Sequence, residues 1–297
     1  MSAQKRSSSL AQLFALALGA FAMCPVLQAQ HYPVGVEGIL GGSVPPPGVY
    51  VKDYNYIYWS DLYKNGPSDF SAFAYVNAVR PIWITELKIL GANYGMDALV
   101  PFGYKDIEID NFGLNDEHFG LGDVYFEPIL LAWHWKHVDL AVGYSFWAPA
   151  GNYDEKEPAT LGTGAWGHMF TVGATWFPWE DKSWAVTVLN RYEINQENDD
   201  TEVTLGNTYS LEWGISKALN KTFIVGVAGY AQLQVTNDRG NGVTGDPDAR
   251  PSVFGIGPEV QVVLPAGFFL SVRYAKEFAT ENRPEGNAAC LTVTKAF

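Results

Sequence analysis

Cysteine is almost absent from this chain of 297 residues, occurring only as Cys24 and Cys290. Cys24 falls in an N-terminal stretch that reads as a secretory leader. Its removal leaves Cys290 alone and excludes an intrachain disulfide. Cationic side chains are scarce too: 19 Lys and Arg stand against 32 Asp and Glu, a net charge of −13. The imbalance deepens once Lys5 and Arg6 leave with the leader, and it argues against nucleic acid as a partner. Long apolar runs are also missing. After the leader no stretch reaches the ~18 apolar residues a transmembrane helix needs.

Cofactor and metal chemistry find little to build on. His134 and His137 are three apart, so a strand points them to opposite faces, and no cysteine lies nearby to complete a zinc site. The acidic loop residues Asp199, Asp200, Asp238, Asp246 and Asp248 lack a calcium-loop pattern. Gly162-Thr163-Gly164-Ala165-Trp166-Gly167 fits GxGxxG but leads into a strand, whereas dinucleotide binding needs strand, then glycines, then helix. Ser145 and His168 could suggest a hydrolase. Alternation puts Ser145 inward and His168 outward, too far apart for nucleophile and base. The chain is therefore expected to be no enzyme and to hold neither cofactor nor metal.

What the chain does contain is hydrophobic residues at 47% and aromatics at 14%, with 10 Trp and 16 Tyr. Lys5 and Arg6, then the apolar run 10–23, then Leu27-Gln28-Ala29 predict a signal peptide over 1–29, cut after Ala29. Residues 30–48 are rich in glycine and proline and alternate too little to form a strand. They read as a lead-in, either a periplasmic tail or a small plug in a barrel mouth.

From residue 49 to 297 the pattern has period two. Twelve segments stand out: 49–61, 70–80, 84–102, 120–134, 137–148, 166–177, 183–195, 203–217, 221–236, 252–264, 268–279 and 287–297. In the ninth, Phe223, Val225, Val227, Ala231, Leu233 and Val235 share one face, against Gly226, Ala228, Tyr230, Gln232 and Gln234. The last sets Leu291 and Val293 against Cys290, Thr292 and Thr294 and stops on the ring of Phe297. Long polar connections (103–119, 149–165, 195–202, 236–251 and 280–286) follow odd-numbered segments, and short ones follow even-numbered segments. A soluble sandwich has no reason for that asymmetry, whereas an outer-membrane barrel does. Aromatics also sort by strand end. Trp133, Trp135, Trp176, Phe177, Trp179 and Trp184 lie near short turns. Tyr54, Tyr56, Tyr58, Trp59, Tyr144 and Tyr192 lie near long loops. This predicts two interfacial girdles.

The fold class expected is therefore all-β: one transmembrane antiparallel barrel of about 12 strands over 49–297, its last strand paired with its first so that no edge meets lipid. The inward face carries Arg191, Glu193, Glu212, Glu259, Arg273 and Glu277 with Gln232, Gln234, Tyr230 and Trp147. These ten are the candidate lumen or substrate-path residues. The same groups could instead simply pair with one another and fill the interior.

Several motifs also carry a resemblance. Phe119-Gly120-Leu121-Gly122-Asp123-Val124-Tyr125-Phe126-Glu127-Pro128 and Pro149-Ala150-Gly151-Asn152-Tyr153-Asp154 are similar to paired motifs of the "MetA-pathway of phenol degradation" outer-membrane family. Tyr230-Ala231-Gln232-Leu233-Gln234-Val235-Thr236-Asn237-Asp238, Gly257-Pro258-Glu259 and Glu281-Asn282-Arg283-Pro284-Glu285-Gly286 extend the likeness over most of the mature chain. The resemblance implies a barrel in the bacterial outer membrane that helps aromatic compounds enter. The expected function is passive uptake of small hydrophobic, aromatic molecules. The alternative is a structural or surface-binding barrel with a plugged lumen. Expected partners are outer-membrane lipids, lipopolysaccharide and the barrel assembly machinery, with a small hydrophobic ligand.

Overall fold

Alternation governs the wall of the folded protein. The computed structural model describes residues 30–297, so the leader expected over 1–29 lies outside the described residues. Thirteen strands form one sheet: β1 (Gly48–Ser60), β2 (Phe70–Ile89), β3 (Ala92–Ile109), β4 (Leu114–Leu121), β5 (Val124–His134), β6 (Val138–Ala148), β7 (Gly167–Trp176), β8 (Trp184–Asn195), β11 (Thr208–Ala218), β12 (Phe223–Gln234), β13 (Ser252–Leu264), β14 (Phe268–Glu281) and β15 (Asn287–Ala296). Between β8 and β11 a loop carries the two-residue strands β9 (Glu197–Asn198) and β10 (Val203–Thr204). β4 and β5 both pair with β3, one along each half, and together fill one place in the wall. The result is a closed antiparallel barrel of 12 strands, as the alternation predicts.

Closure is made by β1 and β15, paired from Tyr50 with Ala296 through to Trp59 with Asn287. Every strand of the sheet except β4, which pairs only with β3, thus has two neighbours, and the ring of twelve strands closes. The outward positions are exposed and apolar: Val172, Val186, Val188, Ile215, Val260, Val272 and Leu291. A continuous apolar belt of this kind suits hydrocarbon rather than water.

Three strand boundaries differ from expectation. β2 runs unbroken through Pro81 to Ile89, and the turn into β3 lies at Leu90 and Gly91, both at positive φ (51° and 82°). Proline removes one ladder hydrogen bond, and the flanking pairs keep the register. Residues 103–119, expected as a loop, mostly extend β3 and β4 as a hairpin turning at the 3-10 segment Asp110–Phe112. In the eighth segment the wall strand begins at Thr208, because Val203 and Thr204 belong to the loop hairpin.

The girdles also need correction. Trp135, Trp176 and Trp179 are exposed at the short-turn end, and Trp59 at the long-loop end. Tyr54, however, is buried in the interior, and Tyr58 donates to Glu277 at 2.9 Å. Tyr56 packs against the same interior cluster. Even-numbered residues of β1 face inward, and closeness to a strand end says nothing about the face. Phe177 is buried, with Lys182 Nζ 4.4 Å from its ring centre.

Face assignment predicts the outcome of a paired substitution. Val227 is 43% exposed and its neighbour Ala228 only 6%. Val227→Arg should cost roughly 2–4 kcal/mol, the range for a cation at mid-depth on a lipid face. Ala228→Arg should leave the wall standing and disturb the interior instead. Heat-modifiable gel mobility and denaturant midpoints of the two variants would read the difference, and equal losses would contradict the assignment.

Candidate functional site

Eight strands already give a barrel whose interior side chains can fill it, and diameter grows with strand number. Twelve strands leave space, and residues 30–47 occupy it. The segment starts beside the long loops and descends toward the short turns. His31 meets Thr163 and Ala165, Ile39 N–H donates to Glu259 at 2.9 Å, Gly42 N–H to Thr187 at 2.8 Å, and Ser43 to Asp139 at 3.0 Å. Tyr32, Val34, Val36 and Ile39 are buried. Gly38 sits at φ +77°, and a Cβ there would fall 2.1 Å from a Glu259 oxygen. Only glycine fits both that conformation and that approach.

The segment's polar groups are met from the wall. Glu37 is the hub. It takes Lys52 Nζ at 2.6 Å, Arg80 at 2.9 Å, the Tyr54 hydroxyl at 3.1 Å and Arg191 at 3.4 Å. Burial works to raise this carboxyl, but the three cations outweigh it and hold the group well below the usual carboxylate range. Arg80 forks onto Asp97 through Nε at 2.7 Å and a terminal nitrogen at 2.8 Å, and reaches Glu127 at 3.2 Å. His31 sits between Glu193 at 2.7 Å and Asp123 at 3.5 Å, stacked on Trp147 with ring centres 5.8 Å apart. Burial disfavours its charge, yet the two carboxylates and the Ala165 carbonyl leave it easier to protonate than a free imidazole.

All ten candidate residues are buried in the interior, in separate groups. Arg191 and Glu212 meet at 3.3 Å, and both bond the Tyr32 hydroxyl. Arg273 and Glu259 meet at 3.5 Å around the 3-10 turn Gly38–Leu40, and Arg273 also donates to the Val36 carbonyl. Tyr230 donates to Glu277 at 3.2 Å, away from the Glu37 hub. Gln232 donates to the Tyr32 carbonyl at 3.0 Å, and Gln234 turns to Asp238 at 2.8 Å. Glu193 and Trp147 hold His31. Sequence reasoning missed Glu37, Lys52, Arg80, Asp97, Asp123 and Glu127. A signal existed: Arg80 and Asp97 are lone charges within otherwise apolar strand pattern.

Beside this network lies a cavity of about 180 Å³. Tyr54, Tyr56, Tyr125, Trp147, Leu99 and Met169 supply much of its apolar lining, with Arg80, Arg191 and His31 among its polar edges. The loop 149–165 forms part of its roof through Leu161 and Thr163. That loop is pinned at the break between β4 and β5, where Asp123 accepts from Gly151 N–H at 3.1 Å, Thr163 N–H at 2.8 Å and the Thr163 hydroxyl at 2.7 Å. A Cβ on Gly151 would lie 2.6 Å from the Gly122 backbone, so glycine permits the contact. The paired motifs around Gly122 and Gly151 thus meet in space. Ser145 and His168 lie on opposite faces: Ser145 is fully buried, while His168 bonds Tyr144 and Gln196.

A family model described as "Putative MetA-pathway of phenol degradation" matches residues 52–293. Among solved structures, the COG4313 outer membrane channel from Pseudomonas putida F1 is similar, with TM-score 0.77 and 18% identity over 90% of this chain and 100% of that one. The translocator domain of the autotransporter NalP from Neisseria meningitidis gives TM-score 0.55 and 13% identity over 86% of this chain and 91% of that one. No curated protein matches the sequence. At these identities the structural likeness establishes the fold: an outer-membrane type of barrel.

Proposed function

Because the chain belongs to the "MetA-pathway of phenol degradation" family, we propose that it is an outer-membrane channel for passive uptake of small hydrophobic, aromatic compounds. The observation that carries this reading is the cavity. A space of about 180 Å³ lined by aromatic and aliphatic side chains is close to the ~150 Å³ apolar cavity known to take benzene. Rings such as Tyr125 and Trp147, with centroids 4.8 Å apart, offer faces on which another ring can pack. The apolar belt fits lipid, with short turns toward the periplasm and long acidic loops toward lipopolysaccharide. Folding into the membrane would require the barrel assembly machinery.

A second reading has its own support. Residues 30–47 fill the lumen, and a barrel so occupied could serve as a structural or surface-binding element without transport. Proteoliposome uptake separates the two. Phenol should enter vesicles carrying the protein faster than empty vesicles of the same lipid. Equal rates would favour the occluded barrel.

A further inference from the structure

Within the apolar belt, β1 and β2 carry a polar group that faces lipid. Lys52 bonds Glu37 in the lumen and Tyr54 is buried there, so Asp53 and Asn55 beside them point outward. Across the ladder stand Val79 and Asn77, and Tyr75 follows on the same face. The outward polar side chains are joined. Asp53 accepts from Asn77 Nδ2 at 2.8 Å and from Asn55 Nδ2 at 3.1 Å, and Asn55 Oδ1 accepts from Tyr75 at 2.8 Å. Aromatic residues mark the depth. Trp83 stands opposite Val49 and Phe73 opposite Trp59, and all four are exposed. From Val49 to Trp59 along β1, a rise of ~3.3 Å per residue at a tilt of ~40° spans about 25 Å, the height of a lipid-facing band. Asp53 and Asn55 lie near its middle.

A carboxylate and two amides at that depth are costly against hydrocarbon, and such groups in membrane proteins turn toward protein or water. Their bonding capacity is also not used up. Among the described residues, Asn77 Oδ1 accepts no hydrogen bond, and Asn55 Nδ2 donates only to Asp53, leaving its second N–H free. Asn190, on the opposite wall, is the contrast. Its Oδ1 accepts from Tyr209 at 2.6 Å and its Nδ2 reaches the Val172 carbonyl at 3.4 Å, with no charge beside it.

We propose that this face of β1 and β2 is where two copies of the barrel meet in the membrane. A two-fold axis along the membrane normal keeps each residue at its own depth and exchanges left for right. Asn55 and Asn77 are direct partners across the β1–β2 ladder. At such an axis the free N–H of Asn55 meets the free Oδ1 of the partner's Asn77, and the reciprocal bond forms with it. Side-chain amides join packed segments in hydrocarbon in this way. A lipid chain offers neither donor nor acceptor, whereas a second copy offers both at the matching depth. Phe73, Val79, Trp83 and Leu291 form an exposed apolar collar that excludes lipid from the pair, and each Asp53 keeps its own two amides inside that collar. The contact leaves the lumen and its cavity untouched.

Thiol cross-linking in native outer membranes tests this. Val79→Cys places a thiol beside Asp53, and Val188→Cys places one of similar exposure on β8, on the opposite wall. Cys290→Ser in both keeps the native thiol out of the readout. With a short bis-maleimide, Val79→Cys should give a band at twice the monomer mass, and Val188→Cys should not. Sedimentation equilibrium in mild detergent adds a second measure. Asp53→Leu/Asn55→Leu/Asn77→Leu makes the face apolar throughout, so the barrel should keep its heat-modifiable gel mobility. Its dimer should be roughly tenfold weaker than that of the unmodified protein, about the worth of two modest hydrogen bonds in a membrane. Equal cross-linking from the two positions, or an unmodified protein that sediments as a monomer, would overturn the contact. A Val79→Cys product of any other mass would give the face to a different membrane protein and overturn the second copy. A triple variant that associates as tightly as the unmodified protein would show that the polar group is not what joins the copies.

Discussion

A chain lacking residues 30–43 should still fold as a barrel and should conduct ions severalfold better than the intact protein in a planar bilayer. The wall does not need the segment for closure. β1 begins at Gly48 and pairs along its length with both β2 and β15. Removing the lead-in uncovers Glu212, Glu259, Arg191 and Arg273, which are charged and at ease in water. The desolvation that confinement now imposes on them would be relieved. Interior carboxylates also outnumber interior cations once Glu37 is gone: Asp97, Glu193, Glu212, Glu259 and Glu277 face Lys52, Arg80, Arg191 and Arg273. The opened pore should therefore favour cations, as a ring of acidic side chains does. Single-channel conductance and reversal potential in a salt gradient measure both effects. An unchanged conductance would mean that residues 30–43 are not what narrows the lumen.

The second large effect is expected at Arg80. Its guanidinium serves three carboxylates, two of them wall residues that are themselves buried: Asp97 and Glu127. Arg80→Leu removes the cation and leaves the buried Asp97 carboxylate unpaired, which typically costs about 3–5 kcal/mol. It also takes from Glu37 one of its three cations, so the lead-in should loosen along with the wall. Arg80→Lys should recover only part of the loss. Lysine offers a point charge, whereas Asp97 is gripped by two parallel N–H bonds from a planar fork. Denaturant midpoints in detergent for the three proteins provide the measurement. Stability of Arg80→Leu equal to that of the unmodified protein would show the cluster to be dispensable.

The two halves of the chain were unequally legible for a physical reason. In β11 to β15 apolar and polar residues alternate cleanly, and the inward set read from the pattern (Glu212, Tyr230, Gln232, Glu259, Arg273, Glu277) is buried as expected. In β2 and β3 the inward face carries Ile82, Ile84 and Leu99 next to Arg80 and Asp97. Both faces there look apolar, and Pro81 suggests a break that the neighbouring strands override. The hub of the site lies in that blurred region. Its central residue, Glu37, lies in a segment with no periodicity at all.

Alternation with period two, read along one dimension, decided which side chains face outward and which turn inward, and the alternating lengths of the connections decided for a closed barrel over a sandwich. The facing follows because side-chain direction in a strand is a local property of the backbone. Which inward groups touch each other was settled only in three dimensions. Glu37 meets Arg80 and Arg191, 43 and 154 positions away, and His31 meets Glu193, 162 away. Such pairings depend on the curvature of the wall and the course of the lead-in through it, and neither is written in any local pattern.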